Sequence, residues 1–100
     1  MKSITVAELA ARESTPLIDV REAHEYAAGH VPGAVNIPMS ELGTRLGELP
    51  AEPFDVICEL GGRSARVVTA LEEQGHDATN VEGGTAEWRA SGHPVETPAA

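Results

Sequence analysis

One stretch sets the terms for the whole chain. The apolar run Phe54-Asp55-Val56-Ile57 delivers the only cysteine, Cys58, and the pattern then changes period. A short run rich in Val and Ile, closed by turn residues, reads as a strand. A tight Glu59-Leu60-Gly61-Gly62-Arg63 segment follows, and a helical pattern begins at Ser64. Val67, Val68 and Leu71 fall on one face of that helix, with Arg66, Glu72, Glu73 and Gln74 on the other. Gly75 supplies the stop expected just past a helix end. A cysteine is thus placed at the end of a strand, in a Gly-rich loop that feeds a helix N-terminus.

That position has chemical content. The first N–H groups of a helix lack intrahelical partners, and the aligned peptide dipoles put partial positive charge there. Loop N–H groups freed by Gly61 and Gly62 can form a concave anion nest. Arg63 adds a fixed cation. Together these stabilise a thiolate, and such settings bring a cysteine pKa from about 8.5 to roughly 3.5–7.5. A cysteine that merely packs as a small hydrophobe has no use for two glycines and an arginine beside it.

The run Cys58-Glu59-Leu60-Gly61-Gly62-Arg63-Ser64-Ala65-Arg66 resembles the active-site loop of the rhodanese (sulfurtransferase) family. Leu17-Ile18-Asp19-Val20-Arg21-Glu22, Glu25-Tyr26 and Gly29-His30-Val31-Pro32-Gly33-Ala34-Val35-Asn36-Ile37-Pro38 are similar to earlier family segments. Val81-Glu82-Gly83-Gly84 with Glu87-Trp88 resembles its closing segment. The matches occur in family order and cover essentially the whole chain. The resemblance implies one rhodanese-like domain over residues 1–100, a three-layer α/β arrangement with a mainly parallel central sheet and helices on both faces. It also implies that Asp19 and Arg21 lie near the loop and support it. From the residues alone, that pair shares a face of an extended strand, and an exposed ion pair there is worth little.

Composition narrows the partners. Seven basic against sixteen acidic residues give a net charge of −9, which argues against binding nucleic acid or an anionic membrane through bulk charge. An anionic substrate then depends on attraction at the loop. A lone cysteine excludes an internal disulfide and fits a reducing compartment. The N-terminus lacks the apolar stretch of a signal peptide, and no run is long enough to span a bilayer, so a cytoplasmic location is expected. His24, His30, His76 and His93 are scattered singly, without metal-ligand spacing, so no metal or cofactor is expected and His30 reads as a structural turn residue.

The remaining segments read as scaffold. A strand fragment leads into a helix where Thr5 and Glu8 have capping-box spacing, Ile4 and Leu9 have staple spacing, and the end falls near Glu13. Glu22 to Ala28 forms a short helix before Gly29, and Ala34 to Ile37 a third strand. Ser40 caps a weak helix carrying Leu42, Leu46 and Leu49, interrupted by Gly43 and Gly47. Ala78-Thr79-Asn80-Val81 is the last strand, and Thr85 caps a short helix holding Trp88 as a core anchor. The Pro-rich tail from Pro94 to Ala100 reads as frayed.

Strands alternating with helices put ligands in the crevice at the carboxyl ends of the strands, where Cys58 sits. The loop offers a nucleophile and an anion pocket without a general base, which suits a sulfur relay. Cys58 is the expected nucleophile, and Glu59, Leu60, Gly61, Gly62, Arg63 and Ser64 the substrate-binding loop. The expected donor is thiosulfate or a similar species, and the acceptor a thiol, such as one carried by a thioredoxin-like protein, or cyanide. Two residues depart from similar loops: a Glu59 carboxylate pointing inward would raise the thiol pKa and repel thiosulfate, and Leu60 replaces a small or polar residue and gives up a hydroxyl donor. Two alternatives use the same parts. One is a non-catalytic binding or sulfur-carrier module. The other is a cysteine-dependent phosphatase or arsenate reductase, whose loop places five residues between cysteine and arginine where this chain has four, Glu59 to Gly62.

Overall fold

The computed structural model describes residues 1–98; Ala99 and Ala100 of the expected frayed tail lie outside the described residues. Five strands alternate with four α-helices: β1 (Lys2–Ile4), α1 (Val6–Ala11), β2 (Leu17–Asp19), α2 (Ala23–Ala27), β3 (Val35–Asn36), β4 (Phe54–Ile57), α3 (Gly62–Glu73), β5 (Ala78–Val81) and α4 (Gly84–Ala90). They form one sheet in the order β1-β5-β4-β2-β3, and every pairing is parallel. β4, read from its apolar run, is the central strand.

The period-two alternation of side chains sorts the core into two layers. Phe54, Val56 and Cys58 join Ile18, Val20 and Ala78 on one face, covered by Val67, Val68 and Leu71 of α3. Ile57, Leu17 and Val81 belong to the other, with Leu9 of α1 and Trp88 of α4. Val56, Ile57 and Val68 are fully buried, and each such side chain contributes roughly 1.5–3 kcal/mol on leaving water.

Local signals at α1 hold. The Thr5 hydroxyl accepts from the Glu8 N–H at 3.1 Å, and the Glu8 carboxylate accepts from the Thr5 N–H at 3.0 Å. Ile4 and Leu9 share one cluster, as the staple requires. The helix stops at Ala11, short of Glu13, where Arg12 becomes extended and its Nε lies 2.8 Å from the buried Asp55 carboxylate.

Other expectations are corrected. Between Ser40 and Leu49 there is no single helix, only two 3₁₀ turns, Leu42–Thr44 and Leu46–Glu48, one around Gly43 and one around Gly47. The leucines still pack on the core, but Ser40 caps nothing; its hydroxyl donates to Glu22 at 2.6 Å. The helix expected over Glu22 to Ala28 is confined to Ala23–Ala27, with Glu22 as its N-cap, and the third strand to Val35–Asn36. The tail is not frayed at Pro94 to Glu96. Glu96 makes two backbone hydrogen bonds with His30, at 2.8 and 2.9 Å, and Trp88 Nε1 donates to the Pro94 carbonyl at 2.7 Å. Among the described residues, no helix is long and apolar enough to cross a membrane.

Candidate active site

Cys58 follows β4 at the carboxyl edge of the sheet, and its side chain is 1% exposed. Sγ accepts a hydrogen bond from the Gly61 N–H at 3.0 Å and lies 3.3 Å from the Ser64 hydroxyl. Burial pushes the thiol pKa up. The Ser64 hydroxyl and the N–H groups of Ser64, Gly61 and Leu60 pull it down, and the balance falls below the ordinary cysteine value. Gly61 makes the cup possible: its φ is +104°, and a Cβ there would press to 3.3 Å from the Gly83 nitrogen. Gly62, read as a second loop glycine, has ordinary helical φ and open space where a side chain would go. α3 therefore begins two residues earlier than the sequence pattern suggests, with Gly61 as its N-cap.

What turns the loop N–H groups inward is the start of α4. The Thr85 N–H donates to the Cys58 carbonyl at 2.9 Å, reinforced by the Thr85 hydroxyl at 3.1 Å, and the Ala86 N–H donates to the Glu59 carbonyl at 3.0 Å. In a trans peptide the C=O and the following N–H point in opposite directions. Anchoring those two carbonyls on α4 thus aims the Glu59 and Leu60 N–H groups the other way. Gly84 permits this approach, since with φ of +60° its missing Cβ would lie 2.5 Å from both carbonyl oxygens. Thr85 was expected as a helix cap. Gly83 caps instead, and Thr85 is fully buried against Cys58.

The Asp19–Arg21 pair is buried, with Arg21 1% exposed and Asp19 0%, so the exposed ion-pair reading is overturned. Arg21 Nη2 donates to Asp19 at 2.8 Å and to the Gly29 carbonyl at 2.9 Å, and Nη1 donates to Glu59 at 3.2 Å. The other Glu59 oxygen accepts from Arg89 of α4 at 2.9 Å. Glu59 therefore ties the loop to both β2 and α4. Arg63 donates through both terminal nitrogens to Glu25, at 2.7 and 2.8 Å, which holds that carboxyl at about 2. Arg21, Arg63 and Arg89 are thus matched by Asp19, Glu25 and Glu59, and Arg63 is not a free cation. Leu60 contributes its N–H, while its side chain is 75% exposed at the mouth.

Sequence reasoning assembled Cys58, the 59–64 loop, Asp19 and Arg21. It missed Thr85 and Gly84, Arg89, Glu25 as the partner of Arg63, and Asn80. The last is 4% exposed on β5, and its Oδ1 lies 2.5 Å from the Ser64 hydroxyl oxygen. Among the described residues, no cluster of His, Cys, Asp and Glu is arranged to hold a metal ion.

Comparison with known proteins decides the family, because the model for the rhodanese-like domain matches residues 5–91. The chain belongs to the rhodanese-like domain family. This rhodanese-like chain is 37% identical to the thiosulfate sulfurtransferase GlpE of Actinobacillus pleuropneumoniae, over 90% of its own length and 85% of that protein. It is 38% identical to the HTH-type transcriptional regulator Rv0324 of Mycobacterium tuberculosis, covering 94% of this chain but spanning only 44% of that regulator. The crystal structure of a rhodanese-related protein from Thermoplasma volcanium matches with a TM-score of 0.93 at 35% identity, covering 98% of this chain and 100% of that one. The rhodanese-like domain and its sulfurtransferase relative support a sulfurtransferase or related sulfur-handling role.

Proposed function

We propose that the protein is a sulfurtransferase that carries a sulfane sulfur as a persulfide on Cys58. The observation that supports this reading best is the cup itself. A single sulfur sits against the Gly61 N–H and the Ser64 hydroxyl, with its pKa drawn below the ordinary value. In the first step the Cys58 thiolate attacks the outer sulfur of thiosulfate. The donor's S–S bond breaks, sulfite leaves with the electron pair, and the persulfide remains. In the second step an acceptor thiolate or cyanide attacks the outer sulfur of that persulfide, and the Cys58 thiolate is regenerated. This is double displacement, in which preorganised N–H donors do for sulfur what an oxyanion hole does for oxygen.

The remaining residues take roles consistent with this scheme. Glu59, Leu60, Gly61, Gly62, Arg63 and Ser64 form the substrate-binding loop, chiefly through backbone N–H groups. Asp19 and Arg21 hold the loop from beneath. Phosphoryl transfer is less well supported, because both terminal nitrogens of Arg63 are taken up by Glu25.

Intact mass spectrometry after incubation with thiosulfate tests the reading. The protein should gain one sulfur atom, lose it on addition of a thiol or cyanide, and fail to gain it as Cys58→Ser. An adduct that survives in the serine variant overturns the assignment.

A further inference from the structure

The side chain behind the nucleophile's hydrogen-bond donor is polar where the fold needs none. In the parallel register Asn80 of β5 lies opposite Val56 of β4, and Val56 and Cys58 are on the face covered by α3. An apolar side chain would pack on that face without the cost of burying an amide. Asn80 is nevertheless buried there with its Oδ1 2.5 Å from Ser64 Oγ.

Ser64 Oγ is surrounded by three groups that can accept its proton: Cys58 Sγ at 3.3 Å, the Gly61 carbonyl at 3.2 Å and Asn80 Oδ1 at 2.5 Å. A serine hydroxyl has one proton to give and can accept in turn. When the sulfur is a thiol, the hydroxyl donates to Asn80. When the sulfur ionises, the charge-assisted bond to the thiolate claims that proton. Two acceptor oxygens would then face each other at the Ser64–Asn80 contact. Turning the Asn80 amide end for end replaces its oxygen with an NH₂ donor, and the chain becomes Asn80 N–H to Ser64 oxygen, Ser64 O–H to thiolate.

We propose that Asn80 is a positioning residue whose amide turns with the charge on Cys58 and directs the Ser64 proton onto the thiolate. The inference rests on the reading of Cys58 as the reacting thiolate. Charged groups also surround the loop: Arg63 of α3 with Glu25 of α2, Arg21 and Asp19 at the end of β2, and Glu59 with Arg89 of α4. Among the described residues, none of them is hydrogen-bonded to Ser64 or to the Asn80 side chain.

The test is a pH titration of the ¹⁵N-labelled protein, with Cys58 ionisation followed by thiolate absorbance. The side-chain amide resonances of Asn80 should move with the same midpoint as Cys58 and stay flat in Cys58→Ala. Asn80→Asp, which can accept but not donate, should raise the Cys58 midpoint by about one unit and slow alkylation below it about tenfold. In a Ser64→Ala background the same substitution should move the midpoint at least about threefold less, because the connecting hydroxyl is gone. Asn80→Leu keeps the shape and checks that packing alone does not shift the midpoint as Asn80→Asp does. An Asn80 resonance that ignores the ionisation of Cys58, or an Asn80→Asp shift equally large without Ser64, overturns the proposal. No sulfur donor is used, so the result is independent of whether a persulfide forms.

Discussion

The Glu59 carboxylate, one residue beyond the sulfur, accepts a hydrogen bond at 3.2 Å from Arg21, a guanidinium that is itself 1% exposed. A residue that invites reading as a charge opposing the substrate is instead a strut between the loop, β2 and α4. Its second oxygen is occupied by Arg89. The mouth of the site is therefore balanced in charge, and the backbone N–H groups supply the attraction for an anion.

Glu59→Gln removes one of the three acidic charges that balance the three arginines. The site around the Cys58 thiolate then carries one negative charge fewer, and the KM for thiosulfate should fall about two- to fivefold at low salt, with the gain fading as ionic strength rises. Steady-state kinetics across a salt series checks this. An unchanged KM contradicts the charge balance.

Arg21→Met should be severe. Asp19, 0% exposed, would lose the guanidinium that its carboxyl is bonded to, and breaking a buried pair from one side costs about 3–5 kcal/mol. Urea denaturation should show a loss of that size, with most of it recovered when Asp19→Asn is added. A loss below about 1 kcal/mol would mean that the pair is solvated.

Two glycines should respond in opposite ways to alanine. Gly84→Ala forces a side chain into the Cys58 and Glu59 carbonyls at a φ of +60°. Strain of this kind costs about 1–3 kcal/mol, and displaced carbonyls would let the loop N–H groups drift from the sulfur. Both stability and the alkylation rate of Cys58 should drop. Gly62→Ala meets open space in ordinary helical conformation and should be neutral or stabilising by about 0.4–1 kcal/mol. Equal effects at the two positions would disprove the role given to α4.

The Arg63–Glu25 pair predicts an acid limb. Hydrogen bonds from Arg63 lower the Glu25 pKa from 4.5 to about 2. A depressed carboxylate adds stability that is fully present above its unfolded value and is lost as pH falls through the folded one. The difference in unfolding free energy between the protein and Glu25→Gln should be constant near neutrality, then shrink from pH 4.5 towards about 2. A difference that grows on acidification would exclude the pair as its source.

The legible part of this molecule is its short-range part. The strand into Cys58, the helix after the loop and the Thr5–Glu8 box are each written within a few residues, where periodicity and capping act. The Ser40–Leu49 stretch misleads because leucines four and three apart serve two 3₁₀ turns as well as one helix. Glu59 could not be read, because its partners lie 38 and 30 residues away and nothing local marks them. Gly61 and Gly62 look alike in sequence, yet only the first takes a conformation that needs glycine. Gly83-Gly84-Thr85 reads as an ordinary helix start, and its service to Cys58 exists only once β4 and β5 are side by side. Asn80 is hidden for the same reason, as one polar letter in a strand whose partner on α3 is set by packing.

The contact between α4 and the Cys58 and Glu59 carbonyls also orders events in time. During synthesis the cysteine is made long before the segment that aims the amides at it. Until that late segment docks, nothing anchors the Cys58 and Glu59 carbonyls, and the N–H groups that follow them are not held in the direction of the sulfur. Whatever those amides do for the sulfur is therefore a property of the completed chain, since a fragment ending before Thr85 has the cysteine without its setting.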